Sequence, residues 1–167
     1  MLINSYFRLK MLNLNYNSFL DQLFQKLTNL NVDVTGLELD HLGYIVSSVE
    51  EYNSVKQELI KLGDFIKEPI VGNWQVGHVK LFEPMGYKSY VIPVLELIAP
   101  LQGETPTLGF EHAEFVLKES YQSYMAKYPK LNWDISAINR PEFSMIKLRL
   151  DENTQVKFHL KPILAMD

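Results

Sequence analysis

Phe19, Leu20, Leu23, Phe24, Leu27 and Leu30 recur at helical spacing in "NSFLDQLFQKLTNLNVD", all on one stripe. That pattern predicts an amphipathic helix that covers an apolar surface. After a glycine, "GLELDHLGYIV" changes to strand formers. "SSVEEYNSVKQELIKLG" returns to helical periodicity, with Tyr52, Val55, Leu59 and Leu62 as its apolar face. Ser48 and Glu51 form a capping-box signature at its start, and Gly63 stands where a C-cap is expected. Three strand-like runs follow: "DFIKEPIV", "QVGHVKLFEP" and, after the turn-prone "MGYK", "SYVIPVLELIAP". Pro93 within the last run cannot donate to a ladder, which predicts a bulge or an edge there.

"LQGETPTLG" has the composition of a linker, and after it the order of elements restarts. "FEHAEFVL" reads as a strand, and "KESYQSYMAKYP" as a short helix stopped by Pro129. "WDISAIN", "EFSMIKLRL" and "TQVKFHL" read as strands, the last two joined by "DEN". The series is β-α-β-β-β, linker, β-α-β-β-β. "LDHLGYIV" (39–46) and "FEHAEFVL" (110–117) stand 71 residues apart with a histidine at the same place, an internal period carried more by element order than by letters. The expected class is α+β. An N-terminal segment and cover helix (1–35) precede a first βαβββ module (36–101), then a linker and second module (102–167), in one compact domain.

Hydrophobic residues make up 47% of the 167, enough for a real core. A net charge of −4 and a pI near 5.6 argue against nucleic acid as a partner, because phosphate binding needs a basic surface. No cysteine is present, which removes disulfides, thiolate metal sites and cysteine nucleophiles and fits a reducing cytoplasm. No apolar run approaches the length of a membrane span. The N-terminal stretch, with only Arg8 and Lys10 charged, lacks the order of a signal peptide, and Met11 is an alternative start.

The four histidines change the picture. His41 and His112 occupy the same place in the first strand of each module, and His159 lies in the last strand of the second. The last strand of the first module offers Glu96. If the first and last strands are central, strand alternation lets these four groups converge inside one curved sheet. Gly43, two residues from His41, removes bulk on that face. Imidazole and carboxylate donors suit a borderline divalent ion, and two histidines with one carboxylate form the facial arrangement of non-haem Fe(II) sites. Zn, Mn, Ni and Co fit equally. His78 has no mate in the repeat and reads as ordinary. Asp40 and Glu111, each beside a candidate histidine, point by alternation to the opposite face.

"LDHLGYIVSS", "VLELIAP", "GFEHAEFV" and "VKFH", in this order and spacing, resemble the YecM-like family of the vicinal oxygen chelate superfamily, from about Leu37 to Pro162. The resemblance implies two βαβββ modules forming a cupped eight-stranded mixed sheet, with a metal site inside the cup. Its ligands carry over as His41, Glu96, His112 and His159. Two departures stand out: His159 replaces an acid common on the final strand, and Asn73 in "VGNWQ" replaces an arginine.

The expected function is that of a divalent-metal-binding protein, an isomerase, lyase or dioxygenase acting on a small oxygen-rich molecule. The alternative is a non-catalytic module that binds a small ligand or the metal. In such an enzyme the ion is a Lewis acid for charge developing on oxygen. Glu114, two residues past His112, is the candidate catalytic base; its other readings are a solvated strand carboxylate or one that fixes an imidazole tautomer. Lys157 shares its face with His159 and either binds an acidic substrate group or lies at the rim. A chain carrying both modules completes a cup alone, so monomer and homodimer are both open.

Overall fold

The computed structural model describes residues 14–166; Arg8, Lys10 and Met11 lie outside the described residues. Helix α1 (Tyr16–Asn29) starts at Asn15, whose side chain accepts from the Ser18 amide. It buries Tyr16, Leu20, Leu23 and Leu27, with Phe19 and Phe24 packed half-buried beside them. It ends where Asn31 takes a left-handed conformation (φ 56°), which asparagine tolerates better than most residues.

Strand β1 (Glu38–Ile45) leads into α2 (Val49–Leu59), followed by β2 (Gly63–Lys67), the two-residue β3 (Ile70–Val71), β4 (Trp74–Tyr87) and β5 (Tyr90–Pro100). The second half repeats the series with β6 (Gly109–Val116), α3 (Tyr121–Ala126), β7 (Trp133–Asp134), β8 (Ile146–Arg149) and β9 (Gln155–His159). All the strands belong to one mixed sheet of order β2-β4-β5-β1-β6-β9-β8-β7, with β3 paired off this path to β4. The order reads the same from either edge. β1 runs parallel to β5 and β6 parallel to β9, while β1 and β6 meet antiparallel at the centre. This is the expected α+β cupped sheet with an N-terminal helix.

Alternation divides the sheet's faces. Leu39, Leu42, Leu95, Leu97, Ala113, Phe115, Val156 and Phe158 join one core with residues of all three helices, including Leu23, Tyr52 and Tyr124. The other face carries the polar side chains. Pro93 lies opposite a register shift between Lys80 and Met85 of β4, the bulge its missing amide predicts. β7 and β8 are shorter than the sequence pattern suggests. Asp134 accepts from the Ser136 amide and turns the chain, and residues 135–145 form a loop in place of a longer hairpin. Among the described residues no helix is long and apolar enough to cross a membrane.

Candidate metal centre

The centre of the sheet is irregular at two matching points. Leu39 pairs with Phe115 and His41 with Glu114, which leaves Asp40 as an extra residue of β1. Gly43 pairs with His112 and Tyr44 with Phe110, which leaves Glu111 as an extra residue of β6. A bulge breaks side-chain alternation, so each acid reaches the histidine that follows it. Asp40 Oδ2 lies 2.7 Å from His41 Nδ1, and Glu111 Oε2 lies 2.7 Å from His112 Nδ1. This corrects the expectation, drawn from strict alternation, that Asp40 and Glu111 face away from the histidines. A carboxylate on Nδ1 fixes the ring and turns Nε2 toward another partner.

Both Nε2 atoms point to one place. His41 Nε2 is 3.3 Å from Glu114 Oε1, and His112 Nε2 is 2.9 Å from Glu96 Oε2 and 3.4 Å from Glu114 Oε1. Ligand atoms of His41, Glu96, His112 and Glu114 all lie within 4.8 Å of one another, and all four side chains are buried. Three of the four expected ligands thus meet, with Glu114 among them. His159 stands in an adjoining group with Asp40 and His41: its Nε2 is 3.4 Å from Asp40 Oδ2 and 3.9 Å from Glu114 Oε2.

Two further side chains join the cluster: His78, which the sequence marked as ordinary, and Lys157, which it placed on the His159 face. His78 pairs across β4 and β5 with Glu96, and its Nε2 lies 3.0 Å from Glu96 Oε1. Lys157 places Nζ 3.0 Å from Glu114 Oε1 and 3.1 Å from His112 Nε2. The repeated acid–histidine dipeptides were a visible sign of Asp40 and Glu111. His78 had no comparable sign, because its partner follows from a register that only the β4 bulge sets.

Charge and burial explain why the cluster holds together. Asp40, Glu96, Glu111 and Glu114 are buried acids, beside which stands the half-buried ammonium of Lys157. An uncompensated buried charge costs several kcal/mol, on the order of 3–5 when a partner is lost, so the deficit requires further positive charge. Burial pulls the His41 imidazole down, but the charges of Glu114 and Glu96 and the bond to Asp40 outweigh it and hold it up at about 10. Burial raises Glu96, but His112 and His78 outweigh it and keep its carboxyl well below the usual range. Glu114 is lowered in the same way, with burial opposed by His41 and Lys157. His159 differs: burial dominates over Glu114, and its imidazole is held down.

The donor set fits a divalent ion. His41 Nε2 and His159 Nε2 are buried without a hydrogen-bond partner, a cost that coordination removes. Two imidazoles backed by carboxylates, with two carboxylates beside them, are the donors that borderline divalent metals take. Two segments close over the site. Phe143 places its ring 5.8 Å from that of His78, and the amide of Ile163 donates to Asp40. Lys67 ties them together, with Nζ on the Met166 carbonyl and over the Phe143 ring. A hollow of about 330 Å³ beside them is lined by Tyr121, Phe143, Ser144 and Leu160.

A family model described as "YecM protein" matches residues 8–166. An uncharacterized protein of Haemophilus influenzae is 26% identical over 100 residues, 58% of this chain and 52% of that one, so the match spans about half of that relative. Among solved structures, the structural-genomics protein EC4020 superposes with a TM-score of 0.76 at 18% identity, covering 98% of this chain and 94% of that one. Streptomyces coelicolor methylmalonyl-CoA epimerase, solved with 2-nitronate-propionyl-CoA, superposes at 0.55 and 9% identity over 79% of this chain and 99% of that one. At these identities the likeness is one of fold.

Proposed function

Because the chain belongs to the YecM family and shares its fold with a methylmalonyl-CoA epimerase, we propose that it is a divalent-metal-binding protein of the vicinal oxygen chelate type and a metal-dependent enzyme acting on a small oxygen-rich molecule. His41, Glu96, His112 and Glu114 hold the ion, with His159 beside them. The reaction class is an isomerisation, a lyase step or a dioxygenation, and the ligand is a small molecule. When bound, the ion supplies Lewis acidity toward charge on a substrate oxygen. Asp40 and Glu111 orient the two imidazoles. Glu114 spans the cluster: Oε1 faces His41 and His112, and Oε2 faces His159. Glu114 is the candidate base, and its Oε2, 3.9 Å from His159 Nε2, is the oxygen turned away from His41 and His112. The loop around Phe143 and the turn at Ile163 exclude water.

The observation that carries this reading is the pair of matched bulges, which fix two Nδ1 atoms on carboxylates and aim both Nε2 atoms at one carboxylate-lined point. Elemental analysis of protein expressed without a metal-chelating tag tests it, alongside His41→Ala and His112→Ala. The wild type should carry a divalent ion. Each variant should lose at least about 10–100-fold in affinity, the range seen when only the groups behind a ligand change. Variants that hold as much metal as wild type would refute the assignment.

A second reading has its own support. The histidines and Glu114 are at most 3% exposed, and structural metal sites are closed where catalytic ones keep an open position. On that reading the protein binds a metal or small ligand without turnover. An Fe(II)-loaded sample exposed to air or to a vicinal diol separates the two: an absorbance change is expected of the enzyme, and an inert spectrum of the closed binder.

A further inference from the structure

Register across the sheet shows what stands opposite Glu96 in the repeat. In the first half Gly43 pairs with Glu96; in the second, Glu114, the mate of Gly43, pairs with Lys157. His159 pairs with Val116 and is thereby the mate of Ile98, which pairs with Ile45. The true counterpart of the Glu96 carboxylate is therefore an ammonium. It is half-buried, and it reaches one histidine and one carboxylate of the proposed ligand set, His112 and Glu114.

We propose that Lys157 is a built-in competitor of the metal ion, whose ammonium stands against His112 Nε2 and Glu114 and must withdraw from the imidazole before an ion can bind there. This rests on the metal-binding reading above and adds the control of that site.

The argument is one of occupancy. His112 Nδ1 is engaged by Glu111, so Nε2 is the nitrogen left for an ion, and it already faces Glu96 Oε2 at 2.9 Å. Lys157 Nζ stands 3.1 Å from the same Nε2. A divalent ion binds imidazole at about 2.0–2.1 Å, which leaves no room for the ammonium at Nε2. The ammonium also repels a dication brought in beside it. Release need not break the second contact: Lys157 can retain Glu114, and its four-carbon stem is flexible enough to swing from the ring. The ion and the lysine thus exchange at His112 while the carboxylates keep a cation beside them.

Affinity for Zn(II) and Mn(II), measured by chelator competition on wild type, Lys157→Met and Lys157→Arg, tests this. Met removes the charge and the donor at similar length, and should bind on the order of ten-fold more tightly or better. Arg keeps the charge and should stay near the wild type. Lys157→Met binding no more tightly than wild type would overturn the proposal while leaving the metal reading intact. If neither wild type nor Lys157→Met binds either ion, both fall. A wild-type measurement covers the case in which Lys157→Met fails to fold: the 13Cε resonance of Lys157 should shift in step with Zn(II) occupancy, and an unmoved resonance at full occupancy would sink the idea.

Discussion

His112 can reach the centre of the sheet because residue 43 has no side chain. A Cβ built there would fall 2.1 Å from His112 Cε1 and 2.4 Å from Nε2. The sequence suggested that Gly43 leaves room above the site; the room exists, and the imidazole from the neighbouring strand fills it. The ring cannot easily yield, because Glu111 holds its other nitrogen. Gly43→Ala should therefore cost about 1–3 kcal/mol as overpacking and lower metal affinity at least ten-fold, read by thermal denaturation and metal titration. A variant with unchanged affinity would show that this glycine does not position His112. Asp40 and Glu111 make the same point from the other side. Their residue types were evident in the chain, but their direction was set by bulges that strict alternation does not foresee.

Helix α2 is an element whose start was legible and whose end was not. Ser48 Oγ accepts from the Glu51 amide at 3.2 Å, while Glu51 accepts from the Ser47 amide at 2.7 Å. Loss of the cap in Ser48→Ala should cost about 1 kcal/mol. The Ser47 hydroxyl and amide hold the Glu51 carboxyl below its ordinary value. Its contribution is then fully present above the unfolded carboxyl's range, roughly pH 4.3, and is lost as pH falls through the lowered folded value. Glu51→Gln should accordingly be less stable than wild type at neutral pH, with the gap closing in acid; denaturant melts across that range would show it. At the other end, Gly63 does not cap the helix, which ends at Leu59. It opens β2 instead, where a Cβ would meet the Lys80 carbonyl at 2.4 Å. The glycine answers to a strand neighbour 17 positions away, which local helix signals do not encode.

At the scale of the whole molecule, the proposed ligands come in equal measure from the two halves: His41 and Glu96 from the first, His112 and Glu114 from the second. The antiparallel pairing of β1 with β6 brings them together. An ion bound there ties the halves across that seam and binds only the folded chain. Free ion at about 100 times its dissociation constant should add about 2.7 kcal/mol of stability, seen as a rise in Tm that a chelator reverses. A melting curve indifferent to Zn(II) and Mn(II) would mean that the cluster is not an ion site of the native protein.

The chain by itself determined the series of elements, the duplication and the histidines worth watching, because hydrophobic period, capping residues and a recurrent acid–histidine pair are local properties. It also marked the bulge at Pro93, since a missing amide is a covalent fact. Tertiary structure alone decided which side the acids before His41 and His112 take, that His78 joins Glu96, and that Lys157 is the counterpart of Glu96. Each of these depends on register between strands, and one extra residue in one strand changes the side and the partner of a side chain while leaving the pattern of letters almost unmarked.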